Sequence, residues 1–155
     1  MRTSAIMLFW LFLTEPAMAI LCGSFLSPMS VSATNLNFGT YAPGSTATAN
    51  TTVTVSCAIA LDVLPDFQIR LSAGNAATPD VRHLKLGGNQ LFYNIYADPG
   101  FNSVWGDGTA GSVEQVFDGL LSLGNLKFTG FGRLPAGQYV PAGTYADRIT
   151  VTVIF

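Results

Sequence analysis

The sequence predicts an all-β protein of the sandwich or Greek-key barrel type, on three observations. After Cys22, β-favouring runs alternate with turn-rich stretches, glycine or proline stands nearly always within a dozen residues, and no ten-residue segment carries a helical period. The connections are too short for the crossover helices of an α/β fold. The chain has 155 residues, 49% of them apolar and 10% charged, which suits one domain with a real core and argues against disorder.

The N-terminus is set apart from this pattern. Arg2 supplies a positive start, residues 5–13 (AIMLFWLFL) form an apolar run, and Ala17-Met18-Ala19 offers the small residues that a signal peptidase accepts, so residues 1–19 are expected to be a signal peptide. The run is stopped by Thr14, Glu15 and Pro16, far short of the roughly 20 apolar residues of a membrane helix, so no membrane span is expected. A lipid anchor on Cys22 is disfavoured by the bulky Leu21 before it. The exported domain is then expected over residues 20–155, with the net charge still −2 because Arg2 and Glu15 are lost together.

Export places Cys22 and Cys57 in an oxidising compartment, where an even pair reads as one structural disulfide. Closing a loop of about 35 residues is worth roughly 3–4 kcal/mol on the chain-entropy estimate. A redox-active pair and two buried free thiols are the alternatives, and neither has the CxxC spacing or the reducing compartment it needs.

Residues 51–57 are the clearest internal strand: Thr51, Val53, Val55 and Cys57 share one face, while Thr52, Thr54 and Ser56 share the other. Further strands are expected at 36–41, 67–71, 91–96, 113–117 and 120–128, punctuated by Ala42-Pro43-Gly44, residues 72–79, Asp98-Pro99-Gly100 and Asp107-Gly108. The last strand is the most informative. Ile149, Val151, Val153 and Phe155 point one way and Arg148, Thr150, Thr152 and Ile154 the other, and the sequence stops there without a capping turn. At a sheet edge such a nearly uncharged ladder lacks the lysine, proline or bulge that blunts edges. Either earlier strands flank it on both sides, or a strand from another polypeptide completes the sheet.

Composition excludes several classes of function. The scattered charges provide no basic stripe for nucleic acid or an anionic membrane. One histidine, His83, and two cysteines leave no material for a classical zinc or haem site, so no metal, cofactor or catalytic residue is assigned. Asp98 and Asp107 stand beside glycine or proline, where aspartate closes turns, and do not make a pair of catalytic carboxylates. Trp105 in Trp105-Gly106-Asp107-Gly108 is read as a core residue above a tight turn, with an exposed surface contact as the weaker alternative. Tyr93, Tyr96, Tyr139 and Tyr145 are candidates for a buried ring whose hydroxyl meets a backbone carbonyl, while Arg133 and Arg148 read as strand-end charges.

Six segments in order carry a resemblance: VSATNLNFGTY (31–41), TVTVSC (52–57), LFYNIYA (91–97), VWGDG (104–108), FGRLPAGQ (131–138) and AGTYADRITVTVIF (142–155). Together they resemble the spore coat protein U domain family, which includes pilin and tip subunits of archaic chaperone-usher pili, and the resemblance covers residues 22–155. It implies an incomplete immunoglobulin-like Greek-key sandwich that lacks its final strand. A periplasmic pilus chaperone would lend that strand, an outer-membrane usher would receive the complex, and a neighbouring fibre subunit would replace the chaperone strand. Ile149, Val151, Val153 and Phe155 would then line the acceptor edge.

Two departures from the family pattern qualify this expectation. Cleavage after Ala19 leaves only Ile20 and Leu21 before the first cysteine, where chain-forming subunits carry a donor segment, so a terminal or tip-like adhesive subunit is expected. Tip proteins of the family are often two-domain, whereas this chain has room for one, which also admits a minor or coat component. Residues 23–30 look like an inserted loop. The alternative function is a free secreted module that binds carbohydrate or a surface without polymerising, and a secreted enzyme has the least support.

Overall fold

The computed structural model describes residues 28–57, 65–118 and 125–155. The expected signal peptide (1–19) and Cys22 lie outside the described residues. Nine strands are described: β1 (Met29–Ala33), β2 (Ala47–Cys57), β3 (Phe67–Leu71), β4 (His83–Leu86), β5 (Asn89–Phe92), β6 (Asn94–Tyr96), β7 (Gln115–Phe117), β8 (Asn125–Leu134) and β9 (Val151–Ile154). They form a four-stranded sheet in the order β1-β2-β8-β6, a three-stranded sheet in the order β7-β3-β9, and the β4-β5 hairpin. The result is an all-β, sandwich-like fold whose sheets are open.

The alternation read from the sequence dictates the core. On β2, Thr51, Val53, Val55 and Cys57 are buried while the residues between them are partly exposed, and on β3, Phe67, Ile69 and Leu71 do the same. These rows meet across the interior, where the Phe67 and Phe128 rings make an edge contact at 5.8 Å. Trp105 fills the centre. It is fully buried, and its indole N–H donates to the Ile69 carbonyl at 3.0 Å.

That placement requires Gly130 on β8. A Cβ there would lie 2.8 Å from the Thr51 methyl, 2.9 Å from the Ile95 methyl and 3.3 Å from the indole. Glycine in mid-strand normally weakens a sheet; here it admits the large ring.

Several expectations are corrected. The disulfide is the first: Cys57 is not a free thiol, but Cys22 lies outside the described residues and no disulfide is found within them, so the fold is described without one. The loop-closure term attached to that bridge therefore takes no part in the account. Residues 36–41 are not a strand, because the Asn37 side chain accepts from Gly39 N–H at 2.8 Å and Gly39 turns at φ +68°. Leu36, Phe38 and Tyr41 still pack against the core from this loop.

The expected strand at 91–96 is two strands. Tyr93 N–H still bonds the Arg82 carbonyl in the register of the β4-β5 hairpin, and from Asn94 the chain pairs with β8 instead. Leu91, Tyr93 and Ile95 keep facing inward through that change. Within 113–117 the regular strand is Gln115–Phe117, with Val113 in an isolated bridge to Trp105. Residues 119–124 of the expected 120–128 strand lie outside the described residues, and β8 runs on through the glycines to Leu134. The expected loop at 23–30 gives way to β1 from Met29.

Candidate functional site

The order of strands leads from one sheet to the other through isolated bridges. From β1 it passes through β2 and β8 to β6, then to residues 104–106, which bridge to Tyr96 on one side and Val113 on the other, and on through β7 and β3 to β9. One flank of the sandwich is therefore closed by the segment that carries Trp105. The other is bounded by β1 and β9, each paired on one side only among the described residues. Along β3, Phe67 packs on Phe128 opposite Val53, while Ile69 accepts from Trp105, which lies against Gly130 opposite Thr51, so β3 runs antiparallel to β2 and the edges β1 and β9 run in opposite senses.

The register fixes what each edge presents. Thr34 N–H donates to the Thr52 carbonyl, which makes the even-numbered residues of β1 the ones that bond β2. The N–H and C=O groups of Met29, Val31 and Ala33 then point to the open edge. On β9, Ser72 N–H donates to the Thr150 carbonyl, Thr152 opposes Arg70 and Ile154 opposes Gln68, so the even residues bond β3. The backbone groups of Val151 and Val153 face the open edge, and those of Ile149 do so in the same phase.

The same residues turn their side chains inward. Val31 lies opposite Val55, and Val153 and Val151 lie opposite Ile69 and Leu71, all on the core side of their sheets. Ile149, Val151 and Val153 pack partly against the core yet are only half-buried. Val31 is 42% exposed although Val55 beside it is 0% exposed. A row of apolar side chains, and of backbone groups with no partner strand among the described residues, therefore lies along both edges.

Of the residues expected at an acceptor edge, Ile149, Val151 and Val153 come together on β9 and its approach. Phe155 does not join them: it is 68% exposed at the strand end. Trp105, weighed as a surface contact, is instead the buried centre of the closed flank. Met29 and Val31 on the second edge were missed, although the alternating MSVSA of 29–33 carried the signal.

A polar network missed in the sequence holds the approach to β9. Arg82 is fully buried, and its guanidinium donates to the Leu71 and Ser72 carbonyls and to Asn94 Oδ1. Burial pulls its pKa below the ordinary value, opposed by the nearby Tyr93 and Asp147. The Tyr93 hydroxyl donates to Asp147 Oδ2 at 2.8 Å, and burial together with the Asp147 charge pushes that phenol far above its usual value. Asp147 Oδ1 accepts from Asn75 N–H and Arg148 N–H. Ala146 bridges to Lys85, which ties the same segment to β4.

Elsewhere the titratable groups do structural work. Asp98 has its pKa lowered chiefly by the Ser103 backbone N–H, and Asp107 has its own lowered chiefly by the Thr109 hydroxyl. Both close turns, as expected from their neighbours. Among the described residues no group of three or more histidine, cysteine, aspartate or glutamate side chains could hold a metal ion. None of the described helices is long and apolar enough to cross a membrane.

These features define the class: an all-β, sandwich-like protein left open between its first and last described strands. Residues 12–152 match the Spore Coat Protein U domain, and the chain belongs to that family. No curated protein matches it in sequence. Among solved structures it is similar to a chain in the crystal structure of the CsuC–CsuE chaperone–tip adhesion subunit pre-assembly complex, from the archaic chaperone-usher Csu pili of Acinetobacter baumannii. The TM-score is 0.59 at 22% identity, over 84% of this chain and 40% of that one, so the likeness is one of fold and this chain spans 40% of that chain's length.

Proposed function

We propose that the protein is a non-enzymatic subunit of a chaperone-usher surface fibre that accepts a β-strand from another polypeptide. One observation carries the reading: along β1 and β9 the residues whose side chains face the core are also those whose backbone groups face no strand among the described residues. An inserted strand would satisfy both needs at once, since its backbone would pair with the edges and its alternate side chains would cover Val31, Val151 and Val153. Because β1 and β9 run in opposite senses, an inserted strand is antiparallel to one edge and parallel to the other, and both pairings form a ladder. The expected occupants are a periplasmic chaperone during export and a neighbouring fibre subunit after passage through an outer-membrane usher.

Export by a signal peptide at residues 1–19, with residues 20–155 as the subunit domain, belongs to this proposal, as does a final location on the cell surface. The finer proposal is a terminal, tip-like place in the fibre. It draws support from the fold shared with a complex of a tip adhesion subunit and its chaperone. Expression in the periplasm with and without the cognate chaperone tests the role. A much higher yield of soluble subunit with the chaperone than without it is expected, and equal yields of a cooperatively folding monomer in both cases would refute strand acceptance.

A further inference from the structure

The inward row of the terminal segment is not apolar throughout. Read in the phase of β9, the half-buried positions are Tyr145, Asp147, Ile149, Val151 and Val153, and the residues between them are exposed. Asp147 thus interrupts an apolar row with a carboxylate. It is held in place by Tyr93, Asn75 N–H and Arg148 N–H, and it occupies space that a side chain at Gly74 would fill. Three donors leave acceptor capacity on Oδ2, which takes one bond. Asp147 is also one of the negative charges near the buried Arg82 guanidinium, with Asp107 the other.

We propose that Asp147 sets the register of the incoming strand by requiring a hydrogen-bond donor, not an apolar side chain, at the position beside it. The inference rests on the strand-accepting reading above and names the sequence class of the partner. Beside Ile149, Val151 and Val153 the incoming strand gains by burying apolar groups. Two residues further on, an apolar side chain would strip water from the Asp147 carboxylate and return nothing, whereas a lysine, serine or threonine would donate to it. Cross-strand neighbours stand about 4.5–5.5 Å apart at Cβ, within reach of such a bond. A strand shifted by two residues would put an apolar group on Asp147 and a donor on Ile149, so both errors oppose the slip.

Synthetic strand peptides test this on the full exported chain. The parent has valine at the four inward positions beside Val153, Val151, Ile149 and Asp147, with threonine and lysine on the outer face, and each inward position is replaced in turn by lysine, serine and leucine. A second set with reversed order covers the parallel orientation. Binding is measured by competition against a labelled parent peptide. Lysine is expected to bind about tenfold tighter than leucine beside Asp147, and about tenfold weaker beside Val151. In Asp147→Asn, which keeps the size and one acceptor, the lysine preference should shrink at least about threefold while the preference beside Val151 is unchanged. The same preferences at all four positions of the unmutated chain would overturn the register role and leave strand acceptance standing. Failure of every peptide to bind would overturn strand acceptance itself.

Discussion

Val55 and Val31 are the same residue type, directly opposite each other on β2 and β1, facing the same side, yet one is 0% and the other 42% exposed. The contrast extends to the two flanks of the molecule. On the closed flank, residues 104–106 lie between β6 and Val113, and Trp105 is fully buried. On the open flank, Val151 and Val153 alternate just as regularly but have β3 on one side and nothing described on the other. Burial here is therefore set by whether a strand lies alongside, not by how apolar the residue is. Covering a half-buried valine or isoleucine on the open flank would add up to about 1 kcal/mol each. An inserted strand would find several such residues.

The largest effects should come from the closed flank. Trp105→Ala is expected to cost about 3–5 kcal/mol, seen in chemical denaturation, and to cost the same whether or not a strand is bound. Gly130→Ala forces a methyl onto Thr51 and Ile95 and should cost about 1–3 kcal/mol in the same assay. Tyr93 adds a pH dependence. Its folded-state pKa is raised above the ordinary 10.0, so the unfolded chain loses this proton first and stability falls as pH rises past 10. The decline should approach about 1.4 kcal/mol per pH unit, and Tyr93→Phe should flatten it.

The open flank should behave differently. Val153→Ala is expected to cost about 1 kcal/mol in the free protein and clearly more in its strand-bound form, measured by denaturation of each. Equal costs in the two forms would erase the difference between the flanks. The smallest effect is expected at the partly exposed Arg70–Glu114 ion pair, where Glu114→Ala should change stability by about 0.5 kcal/mol or less.

Much of the fold was legible because a period of two leaves a direct trace. Thr51, Val53, Val55 and Cys57 gave the inner face of β2, and 67–71 gave β3 with its bounds. Sequence could not show that Asn37 and Gly39 bend an alternating stretch into a loop that still packs Leu36 and Phe38 inward. Nor could it show that the chain changes partners after Tyr93, since Leu91, Tyr93 and Ile95 alternate straight through the break. The candidate edge was half legible. The apolar row at 149–153 stood out, but whether earlier strands flank it is a matter of topology, which a single strand's pattern does not contain. Arg82 and Asp147 escaped notice because a charge in sequence carries no sign of burial. The disulfide expected between Cys22 and Cys57 followed from compartment and count alone, and no disulfide is found within the described residues, which include Cys57 but not Cys22.

The most direct test of an unfilled edge is residue-resolved amide hydrogen exchange along β9. The register predicts alternation in the isolated subunit: slow exchange at Thr152 and Ile154, whose N–H groups face β3, and fast exchange at Val151 and Val153. Binding of a chaperone or donor strand should slow Val151 and Val153 to the rate of their neighbours. Val151 and Val153 protected as strongly as Thr152 and Ile154 before any strand is added would contradict the account.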